Sequence, residues 1–160
     1  TVGFAKRIAT AIASEGLAAT TLGTITATTA YDQFTELWRA LPIPYWKAGA
    51  QLYSSWDNVD MLADDFETKV AKYTEIDLTT GQMFLAKTDR KCEIIRATWM
   101  TGSNRLICTP KQNLLIGTDR VSDLNKVNTF PQLRTLQAGI DFSLGTQIRD
   151  LRALVVSEAV

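Results

Sequence analysis

Five acidic residues, Asp57, Asp60, Asp64, Asp65 and Glu67, form the strongest candidate group for chemistry in this 160-residue chain. Asp57, Asp60 and Asp64 recur at i, i+3 and i+7, so a helix puts them on one face, where carboxylate oxygens can hold a hard divalent cation. The plainer reading is a solvated helix face with acids placed favourably at the positive end of the helix dipole, and it is the one we expect. Paired carboxylates for acid–base catalysis have less support, because nothing in the sequence marks a substrate cleft beside them.

A second candidate group is aromatic: Trp38, Tyr45, Trp46, Tyr53 and Trp56. Such side chains can stack bases or sugars, above all beside cations. Only Arg39 and Lys47 lie close in sequence, so core packing or subunit contact is the expected use. The chain holds no histidine, which removes Ser-His-Asp and Cys-His arrangements and histidine metal ligands together. Cys92 and Cys108 are too few and too far apart for a zinc site. No GxxxxGK[ST] occurs, and no GxGxxG follows a strand; Gly117-Thr118-Asp119 reads only as a strand-ending turn. Ser54-Ser55 has no lysine at a catalytic spacing, and Ser55 reads as a helix N-cap. Met61, Met83 and Met100 read as gap-fillers. The expectation is a protein without enzymatic activity, with no catalytic residue, cofactor site, metal site or small-molecule substrate assigned.

Composition narrows the class further. Apolar residues make up 46% and charged residues 21%, which argues against wholesale disorder, and the length fits one domain with a real core. Lys plus Arg and Asp plus Glu number 17 each, for a formal net charge of zero. A phosphate-binding protein would show a basic excess, so no specific nucleic-acid partner is expected. No apolar run approaches the roughly 20 residues that span a bilayer, and Phe4–Ala13 is amphipathic rather than a signal sequence, so no membrane role is expected. The cysteines sit inside apolar runs and read as two buried thiols in a reducing compartment. A start at Thr1 is read as an excised piece of a longer chain.

The elements that must position these residues follow from periodicity and turn chemistry. Phe4, Ile8 and Ile12 predict a helix ended by Gly16. Residues 18–29, Ala/Thr-rich with Gly23, read as a linker or a light surface strand. Tyr31, Phe34, Trp38 and Leu41 predict a helix over 30–41, capped by Thr29 with Asp32 and stopped by Pro42. Pro42-Ile43-Pro44 reads as a turn and Ala50–Ser55 as a strand. Val59, Leu62, Phe66, Val70 and Tyr73 form the apolar stripe of a third helix, with Asp57 and Asp60 in its first turn and Lys69 and Lys72 in its last. A turn at 79–81 and a strand GQMFLA follow. The stretch 92–119 reads as three short strands, CEIIRATWM, RLICT and NLLIG, separated by turns at 101–104 and 110–112. Residues 120–135 read as a polar connection with an extended piece broken at Pro131. Two or three closing strands complete the chain, the last over Ala153–Val156.

The order of these elements is similar to the C-terminal part of tailed-bacteriophage major capsid proteins of the Hong Kong 97-type fold. Phe4–Glu15 resembles the end of that family's spine helix, DQFTELWRALP its next helix, and AQLYSSWDNVDMLADDF its strand-helix unit. CEIIRATWMTGSNRLICTPKQNLLIGTDR resembles its late strands, with a pattern of apolar strand, small turn, apolar strand, asparagine, apolar pair and glycine. FSLGTQIRDLRALVVSEAV looks like its closing strands. The resemblance implies an α+β fold over residues 1–160, a single domain with a mixed sheet flanked by two or three helices. The N-terminal arm and extended loop of a complete subunit would be missing. It also implies a structural virion protein of a phage or prophage, self-associating as a homo-oligomer into a capsid shell. The protein would then lie in the virion, or in the cytoplasm of the bacterial host before assembly. Tyr45, Trp46 and Trp56 are the residues expected at subunit contacts. Two other readings stand beside it: a non-catalytic binding module whose aromatic and acidic surface takes a carbohydrate, peptide or metal ion, and a carboxylate-metal hydrolase built on Asp57, Asp60 and Asp64.

Overall fold

The computed structural model describes residues 3–70, 76–77, 82–118, 128–132, 135–139 and 144–158. Its elements are α1 (Phe4–Ser14), β1 (Ala19–Thr20), α2 (Ala30–Ala40), α3 (Ile43–Ala48), β2 (Ala50–Ser54), α4 (Trp56–Val70), β3 (Ile76–Asp77) and β4 (Gln82–Phe84). Then come β5 (Cys92–Arg96), β6 (Ile107–Thr109), β7 (Leu114–Thr118), β8 (Asn128–Gln132), β9 (Thr135–Gly139), β10 (Leu144–Ile148) and β11 (Val155–Ser157). Seven strands form one mixed sheet in the order β1-β11-β6-β2-β5-β4-β3. β1 runs parallel to β11 and β2 parallel to β5, while the remaining pairs are antiparallel. β7 pairs with β10, and β8 with β9, in two separate ribbons.

Alternation along the strands divides the core in two. Leu52, Ile94, Cys92, Cys108 and Val155 point to one face and pack against Phe34, Leu37, Trp38, Val59, Leu62 and Phe66 of α2 and α4. Ile107 and Val156 point to the other face, where they meet Ile8 of α1, with Ile148, Leu154, Met100 and Ala97. The expected α+β fold, a mixed sheet flanked by helices, is therefore the observed one.

Most elements lie where periodicity put them. Gly16, at φ +74°, ends α1, with the Glu15 and Leu17 N–H groups both donating to the Ala11 carbonyl. Ser55 caps α4, its hydroxyl accepting from the Asn58 N–H at 3.3 Å. Val59, Leu62 and Phe66 of the apolar stripe are buried; Lys72, Tyr73 and the turn at 79–81 lie outside the described residues.

Several expectations are corrected. Of the two readings of residues 18–29 the strand holds, with β1 at the edge of the sheet, but the segment is not a surface one throughout, since Leu22 and Ile25 are buried in the main core. Pro42-Ile43-Pro44 does not form a free turn but opens α3, because proline's fixed φ and missing N–H suit the first helical positions. CEIIRATWM stops being a strand at Arg96, and residues 98–100 wind into a 3-10 turn. β5 and β6 are consecutive strands but not neighbours, since β2 inserts between them, and β7 leaves the sheet altogether. Pro131 does not break its extended piece, for it sits inside β8 opposite Leu136. In a two-stranded ribbon a proline can face away from the partner without losing a ladder bond.

The start of α2 shows what tertiary packing adds. Thr29 does not cap the helix with its side chain; its hydroxyl instead donates to the Thr24 carbonyl at 2.8 Å. The Tyr31 N–H donates to Oδ2 of Asp65, fully buried on α4, at 2.8 Å. A carboxylate from one helix thus satisfies an orphan N–H of another at the positive end of its dipole. Asp65→Ala should lower the unfolding free energy by on the order of 2 kcal/mol, read by urea denaturation at neutral pH. Asp65→Asn, which keeps an acceptor oxygen, should lose less.

Candidate functional site

The acidic group does not converge. Asp65 is the buried cap of α2, Asp60 pairs with Arg96 at 2.9 Å, and Asp57 and Asp64 are exposed on α4. Among the described residues no three His, Cys, Asp or Glu side chains gather at metal-binding distance. Asp57, Asp60 and Asp64 share one exposed face of α4, with Asp60 held by Arg96, while Asp65 lies on a different, buried face turned to α2.

The aromatic group divides between the two ends of β2. At its start, the ring of Trp46 stacks on that of Trp38, with centroids 6.1 Å apart and planes 20° apart. The Trp46 indole N–H also donates to the Trp38 carbonyl at 3.1 Å. Tyr45 and Trp46 are half-buried and pack against the main core, and the Tyr45 hydroxyl reaches Asp150 at 3.3 Å. Trp38 and Trp46 line an open groove of about 900 Å³ between α2, α3 and the loop joining β4 to β5.

That loop is unusual in its backbone. Lys87, Asp89 and Arg90 all take left-handed conformations, with φ of 62°, 51° and 58°. Each such residue outside glycine costs of order 1 kcal/mol or more and persists only when its surroundings over-determine it. Here the Thr88 hydroxyl donates to the Leu85 carbonyl at 2.6 Å, and the Lys91 N–H to the Thr88 carbonyl at 2.9 Å. Gly49, at φ +85°, lets the chain pass close to the Lys91 carbonyl, which accepts from the Ala50 N–H at 2.9 Å.

At the far end of β2 stand two exposed tryptophans. Trp56 begins α4 and is 47% exposed; Trp99, in the turn after β5, is 41% exposed. The Ala97 N–H donates to the Ser54 carbonyl at 2.8 Å, so the two strands end side by side. The Arg96 guanidinium lies over the Trp56 ring at 4.9 Å. Trp99 is flanked by Phe4 and Tyr53, at centroid distances of 6.2 and 6.3 Å. Trp99 escaped the sequence reading because it lay inside a presumed strand. The signal was Thr101-Gly102 just beyond it, with Gly102 at φ +75°. Of the three aromatics expected at contacts, Trp56 alone is exposed.

On the sheet face between them, the Tyr53 hydroxyl donates to Gln51 Oε1 at 2.7 Å, and Gln51 Nε2 donates to Glu93 Oε2 at 2.7 Å. Burial, then the Glu93 charge, raises the Tyr53 pKa above its ordinary value. The cysteines are free and buried on either side of β2. The Cys108 thiol, followed by burial, pushes the Cys92 pKa up.

Asn113, the asparagine of the late-strand pattern, is a fixing point rather than a surface group. Its Nδ2 donates to Thr109 Oγ1 at 2.8 Å and to the Asp150 carbonyl at 2.9 Å, and its Oδ1 accepts from the Asp150 N–H at 2.7 Å.

No protein-family model and no curated protein sequence matches this chain. Among solved structures, a virus-like particle from Pyrococcus furiosus matches it with a TM-score of 0.53 at 16% identity. The match covers 94% of this chain and 60% of the other, so this chain spans well under two thirds of that protein. The fold is capsid-like. At such low identity the likeness is one of fold. No helix among the described residues is long and apolar enough to cross a membrane.

Trp46→Ala should cost on the order of 2–3 kcal/mol in denaturant unfolding, since it empties a stacked, half-buried site. Trp56→Ala should cost no more than about 1 kcal/mol, the loss of one exposed cation–π contact. Both thiols should resist iodoacetamide at pH 8 in the native protein and react once it is unfolded, because burial in the core keeps the reagent from them.

Proposed function

We propose that this chain is a structural, non-catalytic protein that builds a capsid-like shell by self-association. The observation that carries the reading is the capsid-like fold, 94% of the chain matching a protein whose structure is titled a virus-like particle. The surface supports it. Trp56 and Trp99 stand exposed at one end of the sheet, and Ile116 and Leu115 of the β7–β10 ribbon are 65% and 43% exposed. Interface cores are enriched in such aromatics and depleted in charge. A formal net charge of zero lets like subunits crowd without strong mutual repulsion.

A phage or prophage origin and the Hong Kong 97 type belong to this proposal and rest on the resemblance of the sequence. In such a shell the action is surface complementarity: heterologous contacts close rings, and rings tile. Of the residues expected at contacts, Trp56 fits directly through its exposure and Trp46 through the groove it lines.

A second reading has its own observation. The Tyr53–Gln51–Glu93 network beside Trp99 and Phe4 combines ring faces with polar groups, the mix a carbohydrate-binding module would use.

Light scattering and negative-stain microscopy over a concentration series separate the two. Shell building predicts rings or closed particles whose abundance rises steeply with protein concentration. A species that stays monomeric at all concentrations, while its tryptophan fluorescence saturates with an oligosaccharide, overturns it in favour of the binding module.

A further inference from the structure

The two ends of β2 differ in shape and in charge. The start of the strand borders a groove; its end carries a protrusion. β2 has five residues, so the two lie roughly 16 Å apart along the strand. A contact between unlike surfaces on opposite ends of one molecule is the geometry of head-to-tail association.

The groove has an apolar floor of Trp38, Trp46 and Ala86 and the size of a ligand cleft. Its lining carries four cations, Arg39, Lys47, Lys87 and Lys91, against three acids, Asp32, Glu36 and Asp89. The lysines are exposed, and none of the three forms an ion pair among the described residues. The protruding end has the opposite balance. Trp56 stands between the exposed Asp57 and the Asp60–Arg96 ion pair, two acids against one cation. An exposed indole ringed by net negative charge thus matches an indole-floored groove rimmed by net positive charge. The strained 87–90 backbone holds the lysine rim in place before any partner arrives, which lowers the ordering cost of binding.

We propose that the Trp56 end of one copy docks in the groove between α2, α3 and the β4–β5 loop of the next copy. The inference rests on the shell-building reading and names the contact that would propagate it. Trp56 inserts against Trp46 and Trp38, and Asp57 faces Lys87 and Lys91. The docked pair still offers one free protrusion and one free groove, so the contact repeats until rotation closes a ring.

Two single-site charge reversals test this, with sedimentation velocity of the full 160-residue chain as the readout. Asp57→Lys alters the protrusion, and Lys91→Glu alters the groove; both side chains are exposed, and unchanged circular dichroism melts would show that both variants fold. Each variant alone should need at least about tenfold more protein than the wild type to associate. An equimolar mixture should regain association, because each reversed surface meets a complementary one only on the other variant. Trp56→Ala should weaken association at any salt concentration. Unchanged association of both variants, or a mixture no better than its components, overturns the docking while leaving shell building intact. A wild-type chain that never associates overturns both.

Discussion

The main sheet is built about β2, its central strand, which is paired along both sides. Ala50 to Ser54 match Cys92 to Arg96 in parallel, while Gln51 to Tyr53 match Thr109 to Ile107 antiparallel. Satisfying backbone donors and acceptors in a dry interior leaves little freedom in where such a strand lies. Its apolar alternation then sends Leu52 into the helix-covered core and Tyr53 to the opposite face. A one-residue slip would exchange those faces. The strand therefore sets the register of the sheet and the distance between the groove and the exposed tryptophans.

Buried polar groups hold the flanking elements to this frame. Asp65 fastens α4 to the start of α2. Asn113 and Thr109 bind the end of β6 to the approach of β11, with Thr109 Oγ1 donating to the Ala153 carbonyl at 3.0 Å. Ser157 accepts from the Leu106 N–H at 2.8 Å. Such bonds add modest net stability each, but leaving any one unmade in the interior is expensive. They favour a single arrangement of α2, α4 and the closing strand over near alternatives.

The outer parts of the chain follow a different rule. Among the described residues β7 and β10 pair only with each other, and they expose Leu115 and Ile116. A two-stranded ribbon is marginal in water unless it packs on something. Here α1 supplies part of the cover, with Arg7 Nε donating to Gln147 Oε1 at 3.3 Å and Ile148 buried beside Ile8. The core half of the protein is thus stabilised by its own burial, whereas the ribbon's outer face is left open.

The amino-acid sequence by itself determined α1, α2, α4 and most strands. Phe4-Ile8, Phe34-Trp38 and Val59-Leu62-Phe66 carry their own 3.6-residue period, and Gly16, Ser55 and Gly102 mark boundaries by local backbone chemistry. The solvated helix face was legible too, since Asp57 and Asp64 stand exposed on α4. What only the tertiary structure decided was pairing and exposure. Nothing local says that β2 inserts between β5 and β6, that Asp65 caps a helix 34 residues away, or that Trp46 is half-buried while Trp56 and Trp99 stand in solvent. These depend on contacts between distant residues, whose energies outweigh local propensity once the chain closes on its core.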